Sequence, residues 1–226
     1  MNKIGWCDET WNPVTGCYGP GGSQENIKRC PYCYAHRLAK RLRGRYGYPV
    51  DDPFRPTLHL DRLKTPYGWK KPRKIFVCSM GDIFGDDNCL IWARKIEKVI
   101  EENPHHTFQL LTKNPIGYCW LNKLSSNIWC GVTVDGSEGS VIKILILRII
   151  VPGIKFVSFE PLLAMVNPDL RGINWIIIGA DSTRGAKRPP QKWADVLIEQ
   201  ARDLKIPVFV KDNYGYPEII KEFPYE

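Results

Sequence analysis

Short apolar, β-branched runs recur along the chain at 11–15, 75–79, 107–111, 128–134, 155–159, 175–178 and 207–210, each with the length and residue types of a strand. Between them lie segments with helical periodicity at 34–42, 89–101, 116–124, 140–150 and 191–204. In the second of these, Ile91, Ala93, Ile96, Val99 and Ile100 fall on one face of a helix. Strands alternating with helices predict crossover connections and a parallel sheet, and the unbroken run Trp175-Ile176-Ile177-Ile178 suits a strand buried on both faces. The expected fold is α/β, a partial or complete β/α (TIM-like) barrel of about six to seven parallel strands. Residues 44–73 and the tail 211–226 break the rhythm with Gly, Pro and Asp, and read as excursions from a single domain over 1–226.

In such a fold the residues that follow each strand gather on the carboxyl-end face. Here they are unusually polar: Cys17, Met80-Gly81-Asp82, Thr112-Lys113, Asp135, Glu160, Asp181-Ser182 and Lys211-Asp212-Asn213. Seven loops are therefore expected to converge on one mouth.

Composition narrows the class. The 226 residues are 43% hydrophobic and 25% charged, as in a globular protein. No stretch approaches the ~20 apolar residues of a membrane span, and the polar start from Met1 to Trp6 does not read as a signal peptide, so a soluble cytoplasmic protein with no membrane partner is expected. The net charge of +8 is 32 basic minus 24 acidic groups. It is concentrated in 40–45 and 70–74, which invites a polyanionic partner, although solvated helix faces are the plainer reading. Eight cysteines without an export signal argue against a disulfide scaffold, and Cys78, Cys89, Cys119 and Cys130, in or beside apolar runs, are expected as buried thiols. No phosphate-binding glycine loop or hydrolase nucleophile elbow is present.

The remaining thiols carry chemistry. Twelve residues separate Cys17 from Cys30-Pro31-Tyr32-Cys33. Three thiolates hold a soft metal centre and leave one position open. Spacing alone leaves two readings: zinc, with Cys7 or His36 recruited as fourth ligand, or an iron–sulfur cluster. Three thiolates on a [4Fe–4S] cluster leave one iron free to chelate S-adenosylmethionine, whose reductive cleavage yields an adenosyl radical.

The Cys-x-aromatic-Cys tail, with Tyr32 as the aromatic, resembles the end of the radical S-adenosylmethionine signature. More broadly, the blocks 8–17, 30–35, 77–84, 108–113 and 159–163 resemble a phage- and prokaryote-encoded three-cysteine-motif family related to that superfamily. The resemblance implies that Cys17, Cys30 and Cys33 bind a [4Fe–4S] cluster and that Tyr32 lies against adenine. It further implies that Met80, Gly81 and Asp82 meet the methionine amino group of S-adenosylmethionine. A low-potential reductant is the implied electron donor, and a nucleoside or nucleic-acid base the implied substrate.

Two departures stand out. The superfamily places three residues between its first two cysteines, yet the longer loop here costs only about 1 kcal/mol more to close. Where the family reads Gly-Gly-Glu-Ser, this chain has Gly179-Ala180-Asp181-Ser182. Thr133 and Asp135 are candidates for ribose hydroxyls. Glu160, Asp181 and Lys211 are candidates for substrate binding and proton delivery, weighed against plain ion pairing. For Asp82 the structural alternative is a cap on the following helix, and for Arg184, Lys187 and Arg188 a solvated loop rather than a phosphate grip. A zinc-stabilised nucleic-acid-binding module without redox activity is the rival class.

Overall fold

The structure is a computed structural model and describes residues 4–85 and 89–224. Strand β1 (Glu9–Trp11) is followed by β2 (Val14–Thr15), helix α1 (Tyr34–Arg41), β3 (Thr57–Leu58) and β4 (Lys74–Val77). Then come α2 (Cys89–Glu101), β5 (Thr107–Thr112), β6 (Ile128–Thr133), α3 (Ile142–Ile150), β7 (Lys155–Phe159), β8 (Trp175–Ile178), α4 (Gln191–Asp203) and β9 (Val208–Val210). Seven strands form one parallel sheet in the order β1-β4-β5-β6-β7-β8-β9, so each strand joins the edge left by its predecessor. The result is a curled half-barrel, the partial TIM-like fold that the alternating pattern predicts. Among the described residues, no helix is long and apolar enough to cross a membrane.

Two predicted elements differ. The run 11–15 is not one strand: Trp11 pairs with Val77 in the barrel, whereas Val14 pairs with Leu58 in a separate two-stranded sheet. Pro13, which lacks an N–H, stands at the break. The helix expected at 116–124 is instead a 3-10 helix, Pro115–Trp120. Pro115 opens it, and Gly117 lies so close to Phe84 that a Cβ there would sit 2.3 Å from that side chain. Packing of this backbone on Phe84, together with the poor helix propensity of glycine, favours the tighter turn.

Because strand side chains alternate between faces, the sheet supports two cores. On the outer face Ile75, Val77, Leu110, Val132, Val157, Ile176 and Val208 pack beneath Ala93 and Ile96 of α2 and Ala194 and Leu197 of α4. On the inner face Trp6, Phe76, Trp129, Phe156, Trp175, Ile177 and Phe209 fill the barrel. Trp175 is the hub, with ring centroids 5.6 Å from Phe156, 5.9 Å from Trp129 and 6.1 Å from Trp6. Each such pair adds about 0.5–1.5 kcal/mol beyond burial alone. This aromatic plug occupies the amino-terminal half of the strands and leaves Thr133 and Ser158, farther along the same face, to floor the mouth. Cys7 belongs to this core and Cys78 and Cys130 to the outer one, while Cys119 is exposed, contrary to expectation; the side chain of Cys89 lies outside the described residues.

The plug depends on Gly131, where a Cβ would stand 2.3 Å from the Phe156 ring. Gly131→Val should lower stability by about 1–3 kcal/mol through overpacking. Gly153→Ala, where a Cβ meets nothing within 4 Å, should be nearly silent; denaturant midpoints compare the two.

Candidate active site at the carboxyl ends of the strands

The first cysteine is fixed by a backbone seam. Gly16 turns the chain at φ +87 and donates its N–H to the Met80 carbonyl at 2.9 Å. Opposite, a Cβ on Gly81 would stand 2.6 Å from the Gly16 oxygen. Asn12 Oδ1 completes the seam by accepting from the Met80 N–H at 2.9 Å and from Ser79 Oγ at 3.1 Å. Met80 packs with Ala35, Ala39, Tyr48 and Phe54 into a small core on which Cys17 and Cys33 rest.

The twelve-residue loop is pinched at its base. Lys28 N–H donates to the Tyr18 carbonyl at 2.7 Å, and Ser23 and Asn26 exchange backbone hydrogen bonds farther out. Gly19 permits the crossing, since a Cβ there would fall 1.9 Å from the Lys28 oxygen. The excess length thus forms a closed excursion beyond the Tyr18–Lys28 bond, and Cys17 and Cys30 sit next to its two ends. Cys17 Sγ accepts from the Gly19 N–H at 3.1 Å. Cys33 caps α1, accepting from the His36 N–H at 3.4 Å. Burial pushes the Cys17 and Cys33 thiols above their ordinary values, and the charges of neighbouring cysteines add to the effect. Among the described residues, no three His, Cys, Asp or Glu side chains converge on a point that would hold a single metal ion.

Tyr32, between the last two thiols, is tied to the barrel. Its hydroxyl donates to Asp135 Oδ2, and Lys113 Nζ lies 2.5 Å from that hydroxyl and 2.7 Å from the same carboxylate oxygen. Burial alone would raise the Asp135 carboxyl, but hydrogen bonds from Lys113, Ser137 and Tyr32 outweigh it and hold the group well below the usual carboxylate range. Asp82 accepts from Thr112 Oγ1 at 2.7 Å and from the Lys113 and Phe84 N–H groups at 3.0 Å each. It therefore ties the end of β4 to the end of β5, and burial lifts its carboxyl above the ordinary value despite these donors. Thr133 is buried beside them, its carbonyl accepting from Lys143 Nζ at 3.3 Å.

On the far side of the mouth, Lys211 and Glu160 form an ion pair between the ends of β9 and β7. Gly179 leaves room for it, as a Cβ there would stand 2.9 Å from Glu160 Cδ. Asp181 forms its own turn, accepting from the Thr183 N–H at 2.7 Å and hydroxyl at 2.6 Å. Arg37 then joins the two sides, donating from Nη1 to Thr183 Oγ1 at 2.8 Å and to the Tyr32 carbonyl at 3.0 Å. Arg37 has no role in the sequence reading, although its place one turn beyond Cys33 was a signal for one. Lys113 was visible there only as a polar strand end. A small cleft of about 60 Å³ opens between Gly19, Pro20, Gly21 and Gly22 on one wall and Asp82, Gly85, Lys113 and Asn114 on the other. Cys17 adjoins this cleft at Gly85, where a Cβ would stand 2.9 Å from Sγ.

The family model described as "Protein of unknown function (DUF5131)" matches residues 1–221. The chain belongs to this family. No curated protein matches the DUF5131 chain by sequence. Two solved structures share its fold. One is a variant of spore photoproduct lyase with bound AdoMet and dinucleoside spore photoproduct (TM-score 0.51, 12% identity, 85% of this chain and 60% of that one). The other is spore photoproduct lyase complexed with dinucleoside spore photoproduct (TM-score 0.51, 10% identity, 84% and 59%). The chain thus spans about three fifths of the length of the structures it matches.

Lys113→Met should leave Asp135 desolvated without its cation. Removing one partner of a buried pair costs about 3–5 kcal/mol, and partial solvent access to Lys113 lowers the expectation to about 1–3 kcal/mol near neutral pH. Because the folded carboxyl is depressed, its contribution is present above the unfolded value near 4 and lost as pH falls through the folded one. The stability gap between wild type and variant should therefore be widest at pH 7 and narrow below about pH 4, as urea melts across pH will show.

Proposed function

We propose that the chain is a radical S-adenosylmethionine enzyme in which Cys17, Cys30 and Cys33 hold a [4Fe–4S] cluster at the mouth of the half-barrel. The observation that carries this reading is the pinched loop. It brings Tyr18, next to Cys17, against Lys28, two residues before Cys30, while Cys17 and the α1 cap Cys33 rest on the same small core. The donor set fits the group: three free thiols with a soft-metal preference, of which Cys17 and Cys33 rest on that core. A zinc ion with ~2.3 Å bonds draws its sulfur atoms to within about 3.8 Å of one another. A four-iron cube is bound at separate corners and needs no such common point. The shared fold with a protein solved with bound AdoMet adds support.

When bound, the cluster with its cofactor supplies a 5′-deoxyadenosyl radical that removes a hydrogen atom from substrate, given an electron from a low-potential donor. The residues of this chain supply everything around that event. Tyr32, locked by Asp135 and Lys113, offers a fixed ring for adenine. The Met80-Gly81 backbone and Asp82 border the methionine end, and Thr133 with Asp135 borders the ribose. Glu160, Lys211 and Asp181 ring the opposite side, where a nucleoside or nucleic-acid base would enter, with the Lys211–Glu160 pair placed to pass a proton between Nζ and a carboxylate oxygen.

Anaerobic reconstitution with iron and sulfide, followed by dithionite and S-adenosylmethionine, should yield 5′-deoxyadenosine. Cys17→Ala, Cys30→Ala and Cys33→Ala should each reduce it to background. Tyr32→Ala should keep its iron but weaken S-adenosylmethionine by roughly 5–150-fold, the range of a lost base–aromatic stack of ~1–3 kcal/mol. Product formation indifferent to the three cysteines would sink the proposal.

A further inference from the structure

Residues 34–48 and 182–194 are basic and contain no acidic residue. Residues 34–48 carry Arg37, Lys40, Arg41, Arg43 and Arg45, and residues 182–194 carry Arg184, Lys187, Arg188 and Lys192. Five and four give nine positive charges, one more than the net +8 of the chain, so the other residues sum to −1. The segments are about 140 residues apart in sequence, and the structure joins them through the hydrogen bond from Arg37 to Thr183. Lys40 and Arg41 follow Arg37 at helical spacing on the same side of α1. Arg184, Lys187 and Arg188 follow Thr183 in one loop, and all but Arg37 of these side chains are exposed. These two basic segments therefore meet on one rim, beside the mouth that Cys30, Tyr32 and Cys33 border.

The nearest acids do not neutralise it. Asp181 is turned to Thr183, Asp52 is paired with Arg29, Asp51 with Arg55, and Asp212 with Lys221. Aromatic rings interleave with the cations: Tyr34 is 45% exposed and Tyr46 is 74% exposed. A groove of cations that tracks phosphates, with rings on which bases stack, is how single-stranded nucleic acid is held without sequence readout. Chemistry on a base at the mouth requires that base to be out of a helical stack. The other basic run behaves differently. Lys70, Lys71 and Arg73 precede β4 and Lys74 opens it, so they lie at the opposite end of the sheet, where Arg73 is paired with Glu9 at 2.7 Å.

The geometry points to a binding surface for single-stranded nucleic acid formed by Arg37, Lys40, Arg41, Arg184, Lys187 and Arg188, which delivers one base of a polynucleotide to the mouth. This deepens the reading of a nucleoside or base as substrate and rests on it for the identity of the site served. It sets a polymer, rather than a free nucleotide, as the substrate.

Fluorescence anisotropy with a labelled single-stranded 15-nucleotide probe, on reconstituted protein across a salt series, tests it. Wild type should bind, with affinity falling steeply as salt rises. K40Q/R41Q/R184Q/K187Q should raise the Kd at least tenfold at about 0.1 M salt and flatten the log–log salt slope by roughly 3, near 0.7 for each cation withdrawn from a phosphate. K70Q/K71Q, which removes charge at the other end of the sheet, should change the Kd less than about twofold. Equal weakening by both variants, or binding of anionic-lipid vesicles but not of the probe, overturns the assignment. Cys17→Ala separates this surface from the cluster reading, because it should bind the probe as wild type does. Loss of 5′-deoxyadenosine with intact probe binding speaks against the cluster alone, whereas 5′-deoxyadenosine formation without probe binding speaks against the rim alone.

Discussion

The whole site hangs on the approach of two glycines. Gly16 and Gly81 lie backbone to backbone, so close that a Cβ on Gly81 would clash with the Gly16 carbonyl at 2.6 Å, and Asn12 braces the same junction through its side-chain oxygen. This seam sets where Cys17 emerges relative to the ends of β4 and β5, because a one-atom change there must move backbone rather than a flexible side chain. Everything that follows, from the pinched loop to α1 and its thiol cap, is positioned from that point. A second tie, Tyr32 to Asp135 and Lys113, holds the far end of the loop to β5 and the turn after β6.

Beneath the mouth the aromatic plug does different work. By filling the amino-terminal half of the half-barrel with Trp6, Phe156 and Trp175, it closes the interior from below, so polar chemistry is confined to the carboxyl ends of the strands. The floor is a transition zone: Gln109 donates to the Trp6 carbonyl at 3.3 Å and Ser158 is fully buried above the plug. Fold stability and site geometry are thus divided between two halves of the same strands, and Gly131 belongs to the first as Gly81 belongs to the second.

The architecture was legible because local pattern and tertiary role agree. The all-apolar 175–178 is β8, buried on both faces, and the seven predicted runs map onto the seven barrel strands. Disagreement arose where a single residue overrides periodicity, at Pro13, which stands where one run divides between two sheets, and at Pro115 and Gly117, which convert a helix to a 3-10 turn. Within the site, the strand-end rule brought Asp82, Asp135, Glu160 and Lys211 to one mouth, but it was silent on partners. That Lys113 belongs to Asp135 while Lys211 belongs to Glu160 is a matter of which ends face each other across a curled sheet. The role of Arg37 is silent in the sequence for the same reason, since its partner Thr183 is 146 residues away. Asp181, chosen for its charge, instead forms its own turn with Thr183.

The central claim is that three thiolates leave one metal position open for a cofactor. Electron paramagnetic resonance of the anaerobically reconstituted, dithionite-reduced protein, recorded before and after S-adenosylmethionine is added, addresses that open position directly. A [4Fe–4S]⁺ signal whose shape and g-values change on addition of S-adenosylmethionine is expected. A signal unmoved by saturating cofactor, or a protein that takes up one zinc in place of iron and gives no signal, contradicts it.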